Sequence, residues 1–334
     1  MNASILTQPL LNNYGGILQN YALQVTLKKL GCSSRTIDWT PLRRNICIYA
    51  CSWLKTIALR LIGKKRPFVK IPRLCCRNKN FDEFVSIVIS LEKCNGHITT
   101  NFKRKTDAVI VGSDQVWRPK YNYRIKDMFL DFCKRQKNLK RIAYAASFGV
   151  DNWEYTPKQT RICSKLAKKF NAISVREESG VKLCKENLGV DAIWVLDPTL
   201  LLTKEDYLPI CKEVPVCSEK YLAVYVLDEN NEVTTTYEKE AETRGLIVKR
   251  FHADSKSTLR VPEWLAMFRD ASYIVTDSFH GTVFSIIFEK EFKCIYNKER
   301  GATRFESILN VYNSGKLEKM RIFSLNWLKN ALEN

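Results

Sequence analysis

Short runs of apolar residues alternate with longer stretches of helical periodicity along the first two thirds of this chain. The apolar runs, each five to ten residues long, predict strands at 4–10, 35–39, 107–112, 140–149, 172–176 and 192–198. Between several of them, apolar residues recur at helical spacing, at 17–30, 158–170 and 178–187. Continuous apolar strands that alternate with helices indicate a mostly parallel sheet covered on both faces.

A second series of the same kind begins at Tyr221. Strands are predicted at 221–227, 246–251, 273–276 and 292–296, and helices at 232–244, 262–270 and 281–288. The stretch from 204 to 220 contains Pro209 and Pro215 and is typical of a linker. We therefore expect two α/β domains, 1–203 and 204–334, that face a cleft.

Composition narrows the class of protein. Among 334 residues, 45% are hydrophobic and 27% charged, as in ordinary globular proteins, but the net charge is +19. Such a charge favours an anionic ligand, a membrane surface or nucleic acid. Nucleic acid is the weaker alternative, because the sequence shows no pattern typical of RNA-binding or zinc-finger modules.

Cysteines and targeting signals point to a cytoplasmic protein. Twelve cysteines in a chain of this length read as reduced core residues, since disulfide frameworks belong to short secreted domains. Their spacing does not resemble a metal site. The first residues lack the charged and apolar regions of a signal peptide, and we find no apolar run long enough to span a bilayer.

One segment stands apart in charge. The insertion 39–81 has eleven Lys or Arg residues and no acidic residue, with an apolar face that includes Trp53. A basic amphipathic helix of this kind is typical of a peripheral contact with anionic lipid, here the inner face of the plasma membrane. The alternative is that the segment packs on its own domain as a cover over the cleft.

Two turns after predicted strands carry candidate chemistry in the first domain. Asn13, Tyr14, Gly15 and Gly16 precede a helix, where backbone amides favour a negatively charged ligand, although paired glycines also serve simply as turn formers. Ser113, Asp114 and Gln115 follow a strand at the edge where open α/β sheets bind ligands. Asp114 is a candidate acceptor for a sugar hydroxyl proton, or a local cap.

The strongest candidates lie at two further strand–helix junctions. Arg176 ends a strand and suits bidentate capture of a phosphate or carboxylate, unless it pairs with Glu177 or Glu178. His280 lies at a tight turn that opens a helix, where it suits anion binding or proton donation. The neighbours expected to share this second site are Asp277, Ser278, Gly281 and Thr282.

Five motifs together resemble the polysaccharide pyruvyl transferase family. They are NYGGILQNYAL at 13–23, VGSDQVW at 111–117, SVRE at 174–177, DPTLLL at 197–202 and TDSFHG at 276–281. The resemblance implies two Rossmann-like domains in a GT-B-like fold. It also implies phosphoenolpyruvate as donor, a saccharide acceptor that is part of a cell-envelope polysaccharide or its lipid-linked precursor, and a pyruvate ketal as product.

Two site roles follow from the same resemblance, and the others are our own expectation from the chemistry. Arg176 corresponds to the family's donor-site arginine and His280 to its histidine. We expect Arg300 and Arg304 to assist with the charge of the donor, and Asp114 or Glu177 to act as base. No metal or cofactor is expected besides phosphoenolpyruvate as co-substrate. The alternative function is a GT-B glycosyltransferase that uses a nucleotide sugar in the same cleft.

Overall fold

Two parallel sheets form the framework of the protein. The computed structural model describes residues 1–39, 53–54, 56–57, 60, 77, 79–94, 106–134, 136, 138–252, 259–295 and 302–334. Within these residues the first sheet has the strand order β3-β2-β1-β4-β5-β6-β7, and every pair is parallel. Its strands are β1 Asn2–Leu6, β2 Ser33–Asp38, β3 Leu91–Lys93, β4 Ala108–Val111, β5 Lys140–Ala146, β6 Ala172–Val175 and β7 Ile193–Trp194.

The second sheet has the order β11-β10-β8-β9, again with parallel pairing throughout. Its strands are β8 Tyr221–Tyr225, β9 Ile247–Phe251, β10 Tyr273–Thr276 and β11 Phe292–Cys294. Parallel neighbours require crossover connections, which helices provide here. The prediction of two Rossmann-like units in a GT-B-like fold is therefore confirmed.

The described residues include helices between and after the strands. They are α1 Tyr14–Lys29, α2 Lys79–Val88, α3 Pro157–Ala167, α4 Glu178–Leu183, α5 Lys204–Tyr207, α6 Asn231–Arg244, α7 Val261–Asp270, α8 Phe279–Ile287, α9 Ala302–Asn313 and α10 Leu317–Glu333. No helix in this part of the chain combines the length and apolar character needed to cross a bilayer.

Most predicted elements are present within a few residues of their expected ends. Sequence reasoning missed α2, β3, α9 and α10. The insertion 39–81 lies almost entirely outside the described residues, so its docking stays a prediction, as does the domain boundary at 203.

The C-terminal helix does not stay with the second sheet. In α10, the Ser324 hydroxyl accepts a hydrogen bond from the Leu196 amide at 3.0 Å, and Arg321 Nε donates to the Leu200 carbonyl at 2.7 Å. Lys140, at the start of β5, donates to the Leu332 carbonyl at 2.6 Å. The chain therefore crosses from one half to the other twice, before β8 and again before α10.

Tyr14, at the start of α1, joins the two halves on the cleft side. Its ring is fully buried and stacks on Trp264 of α7, with centroids 5.0 Å apart and planes at 10°. It also contacts Phe81 of α2 at 4.5 Å, and its hydroxyl donates to the Leu259 carbonyl. The two sheets thus share one continuous hydrophobic core at this point.

Tyr14→Ala should lower the free energy of unfolding by about 3–5 kcal/mol, because a large buried ring is lost. Tyr312→Ala, which removes a tyrosine that is 37% exposed on α9, should change it by no more than about 0.5 kcal/mol. Urea unfolding of both variants measures the difference. Equal midpoints for the two variants would show that the Tyr14 packing does not hold the halves together.

Candidate functional site

The polar side chains that follow the strands gather where the carboxyl ends of the two sheets meet. Ser113 follows β4, Arg176 follows β6 and Asp197 lies just beyond β7, all in the first half. His280 lies in the first turn of α8, after β10 of the second half. Because parallel strands end at one edge of a sheet, residues distant in sequence come together there.

The Asp197 carboxylate lies at the centre of this group, and its side chain is fully buried. Its Oδ2 atom accepts hydrogen bonds from Ser113 Oγ and from Arg176 Nη1, both at 3.1 Å, and lies 3.8 Å from His280 Nε2. Burial alone would raise the pKa of this carboxyl. Its interactions with His280 and Arg176 outweigh that effect and hold its pKa below the ordinary value.

The Arg176 guanidinium is almost fully buried, at 4% exposure, and pairs with Asp197 rather than with Glu177 or Glu178. Burial opposes its charge, but the nearby carboxylates, Asp197 first, raise its pKa above the ordinary value. Its Nε atom has no hydrogen-bond partner among the described residues.

A second guanidinium approaches the first across an aromatic ring. Arg176 Cζ lies 4.7 Å from the centroid of the Phe279 ring, and Arg304 Cζ lies 5.9 Å from it. Burial and, next, the charge of Arg176 lower the pKa of Arg304 to about 10. Arg304 therefore remains charged at neutral pH, and two like charges share one end of the cleft.

Two helix N-termini meet at His280. Asn13 caps α1 by accepting a hydrogen bond from the Gly16 amide at 3.2 Å, and Ser278 caps α8 by accepting from Gly281 at 3.4 Å. Neither helix has an acidic residue in its first turn. A side-chain carbon added to Gly15 would lie only 2.0 Å from His280 Nδ1, so the backbone of α1 packs directly against the imidazole. The positively polarised N-termini of α1 and α8 therefore both lie at His280.

Two carboxylates lie close to the arginines. Glu177 is 1% exposed, and its Oε1 accepts hydrogen bonds from the Phe148 and Gly149 amides at 2.7 and 3.2 Å. Its Oε2 has no hydrogen-bond partner within the described ranges. Asp114 accepts from the Gln115 amide at 2.7 Å and lies near Gly16 of α1. The charges of both carboxylates act on Arg176 and Arg304.

Several other predicted site residues have structural partners. Asp277 accepts hydrogen bonds from the Leu227 and Asp228 amides at 2.6 and 2.9 Å, and burial raises its pKa. Thr282 Oγ1 donates to the Ser278 carbonyl at 3.1 Å. Ser113 also donates a hydrogen bond to the Ala145 carbonyl, and the side chain of Gln115 accepts one from Arg118. The backbone of Gly281 packs against Thr276.

The ring of Tyr14 belongs to the core between the halves, as described above. Arg300 lies outside the described residues. The site roles of all these residues stay predictions, while the structure brings Arg176, Glu177, Asp114, His280 and Arg304 into one cluster.

Sequence reasoning missed Asp197 and Phe279 as site residues. Asp197 lies at the end of a predicted strand, as Arg176 does, and β6 and β7 prove to be neighbours. Placing adjacent strand ends side by side would have identified it. Phe279 gives no such signal, because a phenylalanine in an apolar helix reads as core.

The space at this cluster is small in the present conformation. A cavity beside Arg176, Asp197, Phe279 and Arg304 has about 10 Å³ available to the centre of a water molecule, which is roughly room for one water.

The two glycines of α1 should respond oppositely to alanine. Gly15→Ala forces a methyl group into the imidazole, at a cost of about 1–3 kcal/mol, which exceeds or cancels the gain in helix propensity. At Gly16 the added carbon would lie 3.4 Å from its neighbours, so Gly16→Ala should gain up to about 1 kcal/mol. Thermal unfolding of both variants gives the comparison. A Gly15→Ala protein as stable as Gly16→Ala would mean that His280 does not rest against α1.

Similar structures share the fold at low sequence identity. UDP-GlcNAc 2-epimerase from Neisseria meningitidis, bound to UDP-GlcNAc, matches with a TM-score of 0.50 and 9% identity over the whole of both chains. The enzyme of the same name from Methanocaldococcus jannaschii matches with a TM-score of 0.48 and 14% identity, over 98% of this chain and 93% of that one. At such identities the likeness concerns the fold alone.

No curated protein sequence matches this chain significantly. The sequence profile of the polysaccharide pyruvyl transferase family matches residues 13–299, which include every strand except β1 and every residue of the cluster except Arg304. Because this match covers most of its length, the chain belongs to the polysaccharide pyruvyl transferase family and is a transferase that acts in the pyruvylation of polysaccharides.

Proposed function

We propose that this protein transfers pyruvate from phosphoenolpyruvate to a saccharide of a cell-envelope polysaccharide or its lipid-linked precursor. The product is a cyclic ketal, and inorganic phosphate is released. Family membership supports the transfer of pyruvyl groups to polysaccharide. The donor, the ketal and the form of the acceptor are the proposal.

The observation that carries the donor assignment is the convergence of anion-binding groups at the cleft. Arg176 and Arg304 lie against one aromatic ring, and the N-termini of α1 and α8 meet at His280. Guanidinium groups and helix N-termini are the groups that bind carboxylates and phosphates in proteins. Phosphoenolpyruvate carries a carboxylate and a phosphate, which together match this arrangement.

In this proposal the donor is held by both halves of the protein. The planar fork of Arg176 suits a carboxylate or phosphate, and its Nε is available for a further bond. The helix amides beside His280 suit the phosphate. Closure of the halves excludes water and fixes the orientation of the reactants, an effect that can lower a barrier by several kcal/mol.

The chemistry requires a balanced movement of protons. A proton adds to C3 of the enol, and one sugar hydroxyl attacks C2 as it loses its own proton. The C2–O bond to phosphate then breaks, and a second hydroxyl attacks C2 and loses its proton. The two sugar hydroxyls release two protons in all. One makes up for the proton that C3 received, and the other goes to the departing phosphate.

His280 and Glu177 are the best-placed groups for these transfers. His280 lies at the meeting of the helix ends, where it can donate a proton or bind the phosphate. Glu177 has one oxygen fixed by two amides and one oxygen without a partner among the described residues, which suits a base for the acceptor hydroxyl. Asp114 is the alternative base on the other side of the same cluster.

Donor choice is tested by ligand protection in thermal unfolding. Phosphoenolpyruvate at a hundred times its Kd should stabilise the protein by about 2.7 kcal/mol, and a panel of UDP- and GDP-sugars should not. Protection by a nucleotide sugar alone would favour the glycosyltransferase alternative. Mass spectrometry of candidate lipid-linked and nucleotide-linked sugars with phosphoenolpyruvate should then show a gain of pyruvate minus water.

Turnover should depend on the two residues nearest the donor. His280→Ala should lower kcat by about 10²- to 10⁴-fold, because a positioned proton donor is lost while the helix start needs no imidazole. Arg176→Lys should lower kcat/KM about tenfold or more, since an ammonium cannot replace the planar fork. Phosphate release under saturating acceptor measures both.

Arg141→Lys is the matched control for Arg176→Lys. Arg141 is also buried, but it donates to the carbonyls of Leu139, Cys133 and Gln136 at the opposite edge of the first sheet. This variant should lose stability and keep its turnover. Full activity of Arg176→Lys would show that Arg176 serves only as the structural ion-pair partner of Asp197.

We also propose that the insertion 39–81 brings the cleft to a lipid-linked acceptor at an anionic membrane. Its eleven cations can each contribute about 1 kcal/mol near such a surface. Flotation with anionic vesicles should show binding that neutral vesicles lack, and charge reversal at Lys64, Lys65 and Arg66 should weaken it. No binding to anionic vesicles at low salt would leave the segment as a cover over the cleft.

A further inference from the structure

We infer that Asp197 is the positioning residue of this site, and that its carboxylate fixes the two donor-binding side chains, Arg176 and His280, relative to each other. The inference rests on the proposed function in taking these two side chains as the donor site. It adds a residue to which neither the sequence motifs nor the family match assigns a role.

The two oxygens of Asp197 have separate tasks. Oδ1 accepts hydrogen bonds from the Thr199 amide at 3.0 Å and the Thr199 hydroxyl at 2.7 Å, which anchors the carboxylate to the turn at Pro198–Leu201. Oδ2 faces the cleft and contacts groups from three elements, as described above. Capping the turn requires only Oδ1. The contacts of Oδ2 with Ser113, Arg176 and His280 therefore serve a second purpose.

Those contacts define what Oδ2 does for its neighbours. Arg176 donates a hydrogen bond from Nη1 to Asp197, and this bond fixes the plane of the guanidinium group. Its Nε has no hydrogen-bond partner among the described residues. His280 comes from the other half of the protein, and its Nε2 is 3.8 Å from the same oxygen. One carboxylate oxygen thus contacts two donor-binding side chains that come from different halves of the protein.

The negative charge matters as much as the shape. Around this carboxylate the charged groups are Arg176 and Glu177 after β6, Asp114 after β4, His280 in α8 and Arg304 in α9. Asp197 is the carboxylate that contacts both Arg176 and His280 within the described residues. An amide of the same shape would keep the cap on the turn and lose the negative charge that faces Arg176 and His280.

The test compares Asp197→Asn with Asp197→Glu and with a matched control. Asp270→Asn removes the charge from another aspartate that pairs with an arginine, Arg269 at 2.6 Å, away from the cleft. It should lower thermal stability without affecting the site. Ser113→Ala removes one donor to Oδ2 and keeps the charge, which provides a milder variant in case Asp197→Asn does not fold.

Two readouts separate a positioning role from a purely structural one. The chain has three histidines, so the ring signals of His280 can be assigned in ¹⁵N NMR by comparison with His280→Gln. The second readout is the affinity for phosphoenolpyruvate and for inorganic phosphate, measured by calorimetry. The NMR readout needs no ligand and is therefore independent of the proposed function.

We expect Asp197→Asn to shift the His280 ring signals and to weaken phosphoenolpyruvate binding at least tenfold. Asp197→Glu should recover part of the affinity, Ser113→Ala should lose a few-fold, and Asp270→Asn should match the wild type in both readouts. Unshifted signals and unchanged affinity in Asp197→Asn would overturn the role of Asp197. Should Asp197→Asn not fold, wild-type signals and affinity in Ser113→Ala and Asp197→Glu would overturn it. A wild type that binds neither anion would overturn the donor assignment, and the NMR comparison would still decide the role of Asp197.

Discussion

The buried carboxylate of Asp197 joins groups from both halves of this protein at the cleft. It accepts a hydrogen bond from Arg176 and lies 3.8 Å from His280, in an environment that water screens poorly. Arg304 lies near the same region, and the carboxylates of Glu177 and Asp114 add negative charge to it. Arg176 Nε and the N-termini of α1 and α8 are the groups that remain for the anion we propose as ligand.

The two halves contribute different kinds of group to the site. The first half supplies Asp197, Arg176 and Glu177, which are fixed at the ends of neighbouring parallel strands and by local backbone amides. The second half supplies His280 and the N-terminus of α8. Neither half alone has both the arginine fork and the imidazole. The anion site that we propose therefore requires the halves to be in contact, and the packing of Tyr14 on Trp264 contributes to that contact.

The sequence predicts the strands and the strand ends well, because buried parallel strands leave a strong apolar pattern and polar residues follow them. Arg176, Asp114 and His280 were identified on this basis. Asp197 was not, because its importance depends on β7 lying beside β6, and strand order is not visible in local patterns. Helices α9 and α10 were missed for a related reason: their apolar faces pack against elements far away in sequence. The position of Arg304 beside Phe279 likewise depends on the way α9 folds back over the cleft.

The double crossing of the chain has a mechanical consequence. Two halves joined by one linker can move in many directions, whereas a second connection restricts those directions. Here the second connection ends in α10, which is fixed to the first half by hydrogen bonds to Leu196, Leu200 and Lys140. We therefore expect the relative motion of the halves to be restricted, so that His280 keeps its alignment with Gly15 at the start of α1.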